Sequence, residues 1–105
     1  MIYLTFKSRD EFNDYFFGPY AEKEHIFDEI VNEIEQAMLN KKKLATFAEV
    51  KIELADEAED LYIYLDLPKK NWDESLTNAL KYYETQELFE KCSRVSKMLK
   101  TITKK

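Results

Sequence analysis

The one histidine, His25, stands three residues after Glu22 and four before Glu29, so on a helix all three side chains share a face. A Glu-x-x-His pair of this kind supplies metal ligands in helical di-metal sites, but such a centre needs a second copy of the motif and further carboxylates. The chain has no second histidine, so no metal site and no other cofactor is expected. Cys92, the one cysteine, would need an accessible, acidified thiol and a base such as His25 to act as a nucleophile. Its spacing with Val95 and Leu99 instead places it on the apolar side of a helix, as a small core residue. A single glycine leaves no Gly-rich phosphate loop. No catalytic residue is assigned, and the chain is not expected to be an enzyme.

Four groups of residues suit binding better. Glu53, Asp56, Glu57, Glu59 and Asp60 put five carboxylates into eight residues, without the glycine or the spacing of a calcium loop. They read either as a turn kept soluble and unable to pair edge to edge, or as an acidic knob for a basic partner. Tyr62 and Tyr64 alternate with Leu61, Ile63, Leu65 and Leu67, so both rings belong to the face of a strand opposite its apolar side. The run Tyr15-Phe16-Phe17-Gly18-Pro19-Tyr20 has more rings than one helix can turn inward, which leaves Phe17 and Tyr20 as candidate contact residues. Arg94, Lys97 and Lys100 lie opposite the apolar stripe of the last helix. They offer phosphate contacts, a complement to the C-terminus of their own helix, or partners for acids of the second helix of the same chain or another copy.

These residues need elements to position them. Leu44–Leu67 reads as a β-hairpin: Ala48, Val50, Ile52 and Leu54 alternate with Glu49, Lys51 and Glu53, and the acidic turn reverses the chain. A hairpin alone is marginally stable and requires helices on its apolar face. Ile2–Phe6 is a further short strand. Ser8 with Glu11 matches a capping box for a first helix with Phe12, Tyr15 and Phe16 inward, which Gly18-Pro19 stops by a left-handed glycine cap. Ala21–Asn40 keeps helical spacing through Ile26, Phe27, Ile30, Val31, Ile34, Ala37 and Met38. Asn71 with Glu74 signals a helix with Leu76, Ala79, Leu80 and Tyr83 inward. Residues 72–102 form either one bent helix or, preferably, two. In the latter case Thr85 caps a last helix with Leu88, Phe89, Cys92, Val95, Leu99 and Ile102 inward.

The expected fold is therefore a single α+β domain over 1–105. A small sheet, the hairpin 44–67 plus the short N-terminal strand, carries about four helices mainly on one face, in the order β-α-α-β-β-α-α. The charge is uneven: residues 1–40 hold three basic and nine acidic side chains, and residues 91–105 hold six basic and no acidic ones. The net charge of −5 argues against general binding to nucleic acid or anionic membranes. No apolar run approaches the roughly 20 residues that span a bilayer. No secretory leader is expected, and one cysteine suits a reducing, cytoplasmic home.

Leu88-Phe89-Glu90-Lys91-Cys92-Ser93-Arg94-Val95, following Ala79-Leu80, resembles the helical hairpin of the UVR motif, a resemblance that implies protein–protein contact. The expected function is a small regulatory, inhibitory or adaptor module of the kind phages and mobile elements encode. It would bind another protein through its exposed aromatic and acidic surface, with homodimerisation a further use of that surface. The alternative is a nucleic-acid-binding accessory protein using the basic last helix.

Overall fold

Ile2, Leu4 and Phe6 alternate with the more exposed Tyr3 and Thr5 in the first strand, β1 (Ile2–Phe6). The helices α1 (Arg9–Phe17) and α2 (Lys23–Leu39) follow, then β2 (Leu44–Ile52), β3 (Leu61–Pro68), α3 (Trp72–Thr85) and α4 (Phe89–Thr103). The structure, a computed structural model, describes residues 1–18, 23–53 and 60–103. β2 is central in a three-stranded mixed sheet, with β1 parallel to it on one side and β3 antiparallel on the other. A parallel neighbour cannot be reached by a tight turn, and α1 with α2 provides the crossover between β1 and β2. The chain has the α+β order expected from its sequence.

Pairing brings the alternating residues of the three strands onto common faces. Leu4 stands beside Val50, which faces Ile63; Phe6 stands beside Ile52, which faces Leu61. Between Thr46 and Ala48 the register shifts, leaving Phe47 unpaired in a β-bulge. The bulge lets Phe47 and Ala48, neighbours in sequence, both be buried. Simple alternation does not anticipate this.

The helix ends follow local chemistry. The Ser8 hydroxyl accepts the Glu11 amide hydrogen at 3.1 Å, and the Glu11 carboxylate accepts from Lys7, one residue before the expected Ser8. Gly18 departs from expectation, with φ −75° and ψ 165°, an extended rather than left-handed cap. Glycine is needed there for space, since a Cβ would sit 2.5 Å from the Asp14 carbonyl oxygen. Asn71 makes no side-chain cap; a 3-10 turn over Lys69–Asn71 leads into α3. Thr85 is the last residue of α3 and caps nothing, so residues 72–103 are two helices joined by a tight turn.

Both α2 and α3 close with the same double backbone bond. Lys41 and Lys42 donate to the carbonyls of Met38 and Ala37, and Glu87 and Leu88 donate to those of Glu84 and Tyr83. Lys41 (φ 55°) and Glu87 (φ 58°) take the left-handed conformation this motif requires.

Helix α2 divides the interior. On one side Ile26 and Ile30, with Phe12, Tyr15 and Phe16 of α1, cover the apolar sheet face. On the other, Val31, Ile34 and Ala37 meet Trp72, Leu76, Ala79 and Tyr83 of α3 and Val95 and Met98 of α4. The second cluster is a helical tier outside the first. Phe89, expected inward, is 72% exposed. At 100° per residue it lies about 120° from Val95, whereas Leu88 lies about 20° away and packs inward.

Candidate interaction surface

The helices cover one face of the sheet, and the side chains of the other face are largely in solvent. Tyr3 is 70% exposed, and Tyr62 and Tyr64 are each 57% exposed. Their spacing follows from the register. Tyr3, Glu49 and Tyr64 form one row across the sheet, and Thr5, Lys51 and Tyr62 form the next. Two strand spacings place Tyr3 and Tyr64 about 10 Å apart at the backbone, on either side of Glu49.

The polar groups between the rings hold one another. The Tyr64 hydroxyl donates to the Glu49 carboxylate at 3.3 Å, and the Thr46 hydroxyl donates to Asp66 at 2.7 Å. Glu49's negative charge, with that hydrogen bond, pushes the Tyr64 phenol up from its ordinary value. Lys51 lies 3.5 Å from Asp60. The face thus offers three flat rings, hydroxyl donors and a carboxylate-biased rim. This suits apolar and cationic groups of another protein and repels phosphate.

Tyr3 was not among the residues singled out in the sequence. The signal is present, since Ile2–Phe6 alternates and places Tyr3 opposite Ile2 and Leu4. What alternation lacks is the partner strand, and the parallel pairing with β2 carries Tyr3 into line with Tyr64. Asp60 is described and exposed, while Asp56, Glu57, Glu59, Tyr20 and the Phe17 side chain lie outside the described residues.

The basic residues of the last helix separate. Arg94 reaches Glu35 of α2 with two hydrogen bonds, from Nη2 at 2.8 Å and Nε at 3.3 Å. The guanidinium holds the Glu35 carboxyl below its usual range. Lys91 contacts Asp28 at 2.8 Å and Glu24 at 3.4 Å. Lys97 and Lys100 are exposed. The acidic face of α2 and the basic face of α4 are therefore partners within the chain.

His25 is exposed near the start of α2, and Glu22 lies outside the described residues. No three His, Cys, Asp or Glu side chains among the described residues could hold a metal ion together. Cys92 is half-buried against the α2–α3–α4 core. No described helix is long and apolar enough to cross a membrane. Comparison with known proteins finds no matching family model, no similar curated protein and no similar solved structure.

Proposed function

We propose that this chain is a protein-binding module, acting in the cytoplasm as a regulatory, inhibitory or adaptor protein, and that the uncovered sheet face is its contact surface. The observation that carries the reading is the set of three exposed tyrosines, Tyr3, Tyr62 and Tyr64, supplied by both edge strands of one face. Tyrosine gives contact area at low entropic cost and is enriched among residues that dominate binding energy. The withdrawal of Arg94 into a pair with Glu35 weakens the nucleic-acid alternative, which relied on Arg94, Lys97 and Lys100 together.

The test compares the wild-type chain with the Tyr3→Ala/Tyr62→Ala/Tyr64→Ala variant as bait in a nuclease-treated bacterial lysate. A protein retained stoichiometrically by the first and lost by the second is then purified and titrated against both. The expected result is binding at least about tenfold weaker for the variant. Equal binding by the two, or a bait that retains no protein, would overturn the reading.

A further inference from the structure

Strand β3 is an edge of the sheet, with β2 on one side only. Backbone groups alternate in direction along a strand, so half of those on β3 point away from β2. Two hydrogen bonds fix which half. The Glu53 amide donates to the Phe6 carbonyl at 2.8 Å, so Glu49, Lys51 and Glu53 turn their backbone toward β1. Val50 and Ile52 therefore turn theirs toward β3, where they take up Ile63 and Leu61. At the other end the Lys69 amide donates to the Lys43 carbonyl at 2.9 Å, and the extended Pro68 before it carries the same alternation back along β3. Tyr62, Tyr64 and Asp66 thus present both N–H and C=O at the free edge. No backbone group of another described element bonds to them there. Pro68 is next in this alternation and has no N–H, so it ends the set.

The side chains beneath this edge are incompletely covered. On β2, Ala48 and Val50 are 0% exposed and Ile52 is 1% exposed. On β3 the inward Leu61, Ile63, Leu65 and Leu67 are only half-buried. Edge strands that stay single are commonly interrupted by lysine, proline or a bulge. Residues 61–67 contain no lysine and no proline, and the bulge of this sheet lies in β2. The opposite edge is shorter. There β1 turns outward only Tyr3 and Thr5, and the next amide in that alternation, of Lys7, already donates to Glu11.

The sequence of the strand decides what fits its edge. Leu61-Tyr62-Ile63-Tyr64-Leu65-Asp66-Leu67 has the same apolar and polar order from either end, centred on Tyr64. Laid antiparallel on itself about Tyr64, Leu61 meets Leu67, Ile63 meets Leu65 and Tyr62 meets Asp66, with no like charges opposed. Tyr64 with its own copy, and Tyr62 with Asp66, fall where opposed residues exchange two hydrogen bonds. Every outward N–H and C=O of the three residues is then used. A register shifted by two residues is worse either way: one sets Asp60 against Asp66, the other sets Tyr62 against Pro68, which cannot donate.

We propose that β3 pairs antiparallel with β3 of a second copy of this chain, about a two-fold axis at Tyr64, to form one six-stranded sheet. The contact is isologous and closes at two copies, because each contributes its single β3 edge. The half-buried aliphatic side chains of the two copies meet on the helical side. On the other side Tyr3, Glu49 and Tyr64 continue into the same three residues of the second copy in reverse order. Backbone groups make the contact and the outer face stays open, so it stands or falls separately from the proposed sheet-face contact.

The experiment is sedimentation equilibrium on the purified chain, joined to amide hydrogen exchange read by NMR at low and high concentration. A contact of one short strand from each copy is at the small end of stable interfaces, so a dissociation constant on the order of 10⁻⁵ M is expected. The mass should rise from 12.6 kDa to twice that value between about 1 μM and about 1 mM. Across the same range the amides of Tyr62, Tyr64 and Asp66 should slow at least about fivefold, while those of Ile63 and Leu65, held by β2, should be slow throughout. Tyr64→Pro removes an outward N–H and spares the bonds to β2, so it should be folded by circular dichroism and monomeric. Tyr64→Ala keeps that N–H and should still dimerise. A wild-type chain monomeric at about 1 mM overturns the proposal. So does a dimer in which those three amides exchange as fast as in the monomer, or growth beyond two copies. Dimerisation that survives Tyr64→Pro, or is lost equally on Tyr64→Ala, would likewise overturn it. A chain that dimerises through this edge and captures no protein would overturn the sheet-face reading alone.

Discussion

Tyr83 on α3 donates its phenolic hydrogen to the Asp28 carboxylate on α2 at 2.6 Å, and Lys91 on α4 approaches the other oxygen of that carboxylate at 2.8 Å. Three helices are thereby tied at one point, with the Tyr83 ring 2% exposed. Tyr83→Phe keeps the ring in the core and removes the donor, while Lys91 still holds Asp28. The expected cost is about 1 kcal/mol, read from urea unfolding followed by the fluorescence of Trp72. Burial, with Asp28 adding to it, raises this phenol above its ordinary 10.0. Its contribution is thus complete below pH 10.0 and is lost as pH rises further, because the unfolded chain ionises first. In a tyrosinate absorbance titration, Tyr83 should ionise last, together with unfolding.

The Arg94–Glu35 pair gives the acid side of the stability curve. Glu35 is held below its ordinary 4.5, with the hydrogen bond from Arg94 as the largest cause. A lowered carboxylate stabilises the fold fully above pH 4.5 and loses that contribution as pH falls through its folded value. Both side chains are more than a third exposed, so the size is that of a surface pair, about 0.5 kcal/mol. Glu35→Gln should lower stability by that amount at pH 7 and leave it unchanged near pH 2, in urea titrations at the two pH values.

The two expected contact tyrosines of β3 stand outside both core clusters. Tyr62→Ala with Tyr64→Ala should leave the far-ultraviolet circular dichroism unchanged and cost no more than about 1 kcal/mol, through lost strand preference and the Tyr64–Glu49 bond. Unfolding of this double variant would mean that the rings are core and the face is covered.

Lys41 and Glu87 sit in left-handed backbone without being glycine. The conformation costs a residue with a Cβ roughly 1 kcal/mol, part of which glycine returns through its looser unfolded chain. Lys41→Gly and Glu87→Gly are each expected to raise stability by about 0.5 kcal/mol. The two sites end different helices, so the gains should add in the double variant.

Trp72 is 1% exposed, and its indole N–H donates to the Leu67 carbonyl at 2.7 Å. Trp72→Phe leaves a void and a carbonyl without its donor. A loss of about 2 kcal/mol is expected, with thermal unfolding by circular dichroism as the measurement.

All seven principal elements are legible in the sequence, because each rests on a local pattern. Alternation in Leu61–Leu67 marks a half-buried strand wherever its partner lies. Ser8 and Glu11 mark a helix start through bonds confined to one turn. The sequence is silent where the answer depends on a distant element or on phase within a single turn. Asn71 has the right residue type for a cap and stands just before α3, but the 3-10 turn after Pro68 gives it helical backbone (φ −105°, ψ 0°), and its side chain makes no cap bond. Phe89 is expected inward because it stands three residues from Cys92, whereas Met98 and Val95 centre the buried stripe elsewhere. The basic stripe of α4 is visible in the sequence, while the pairing of Arg94 with Glu35 is only one of the three roles its residue types allow.

Apart from Phe47 at the bulge and Phe89 at the start of α4, residue periodicity determined which of the described side chains turn inward, since side-chain direction is a property of the local backbone. It therefore placed Tyr62 and Tyr64 on one face before any partner was known. Only the tertiary structure decided that β1 runs parallel beside β2, aligning Tyr3 with Tyr64, and that the extra residue at Phe47 is absorbed as a bulge. It also decided that the lysines after α2 meet those after β3. Backbone hydrogen bonds do not read side-chain identity, so strand order and register come from how the whole chain closes its core. The composition of the surfaces at each end follows from that closure.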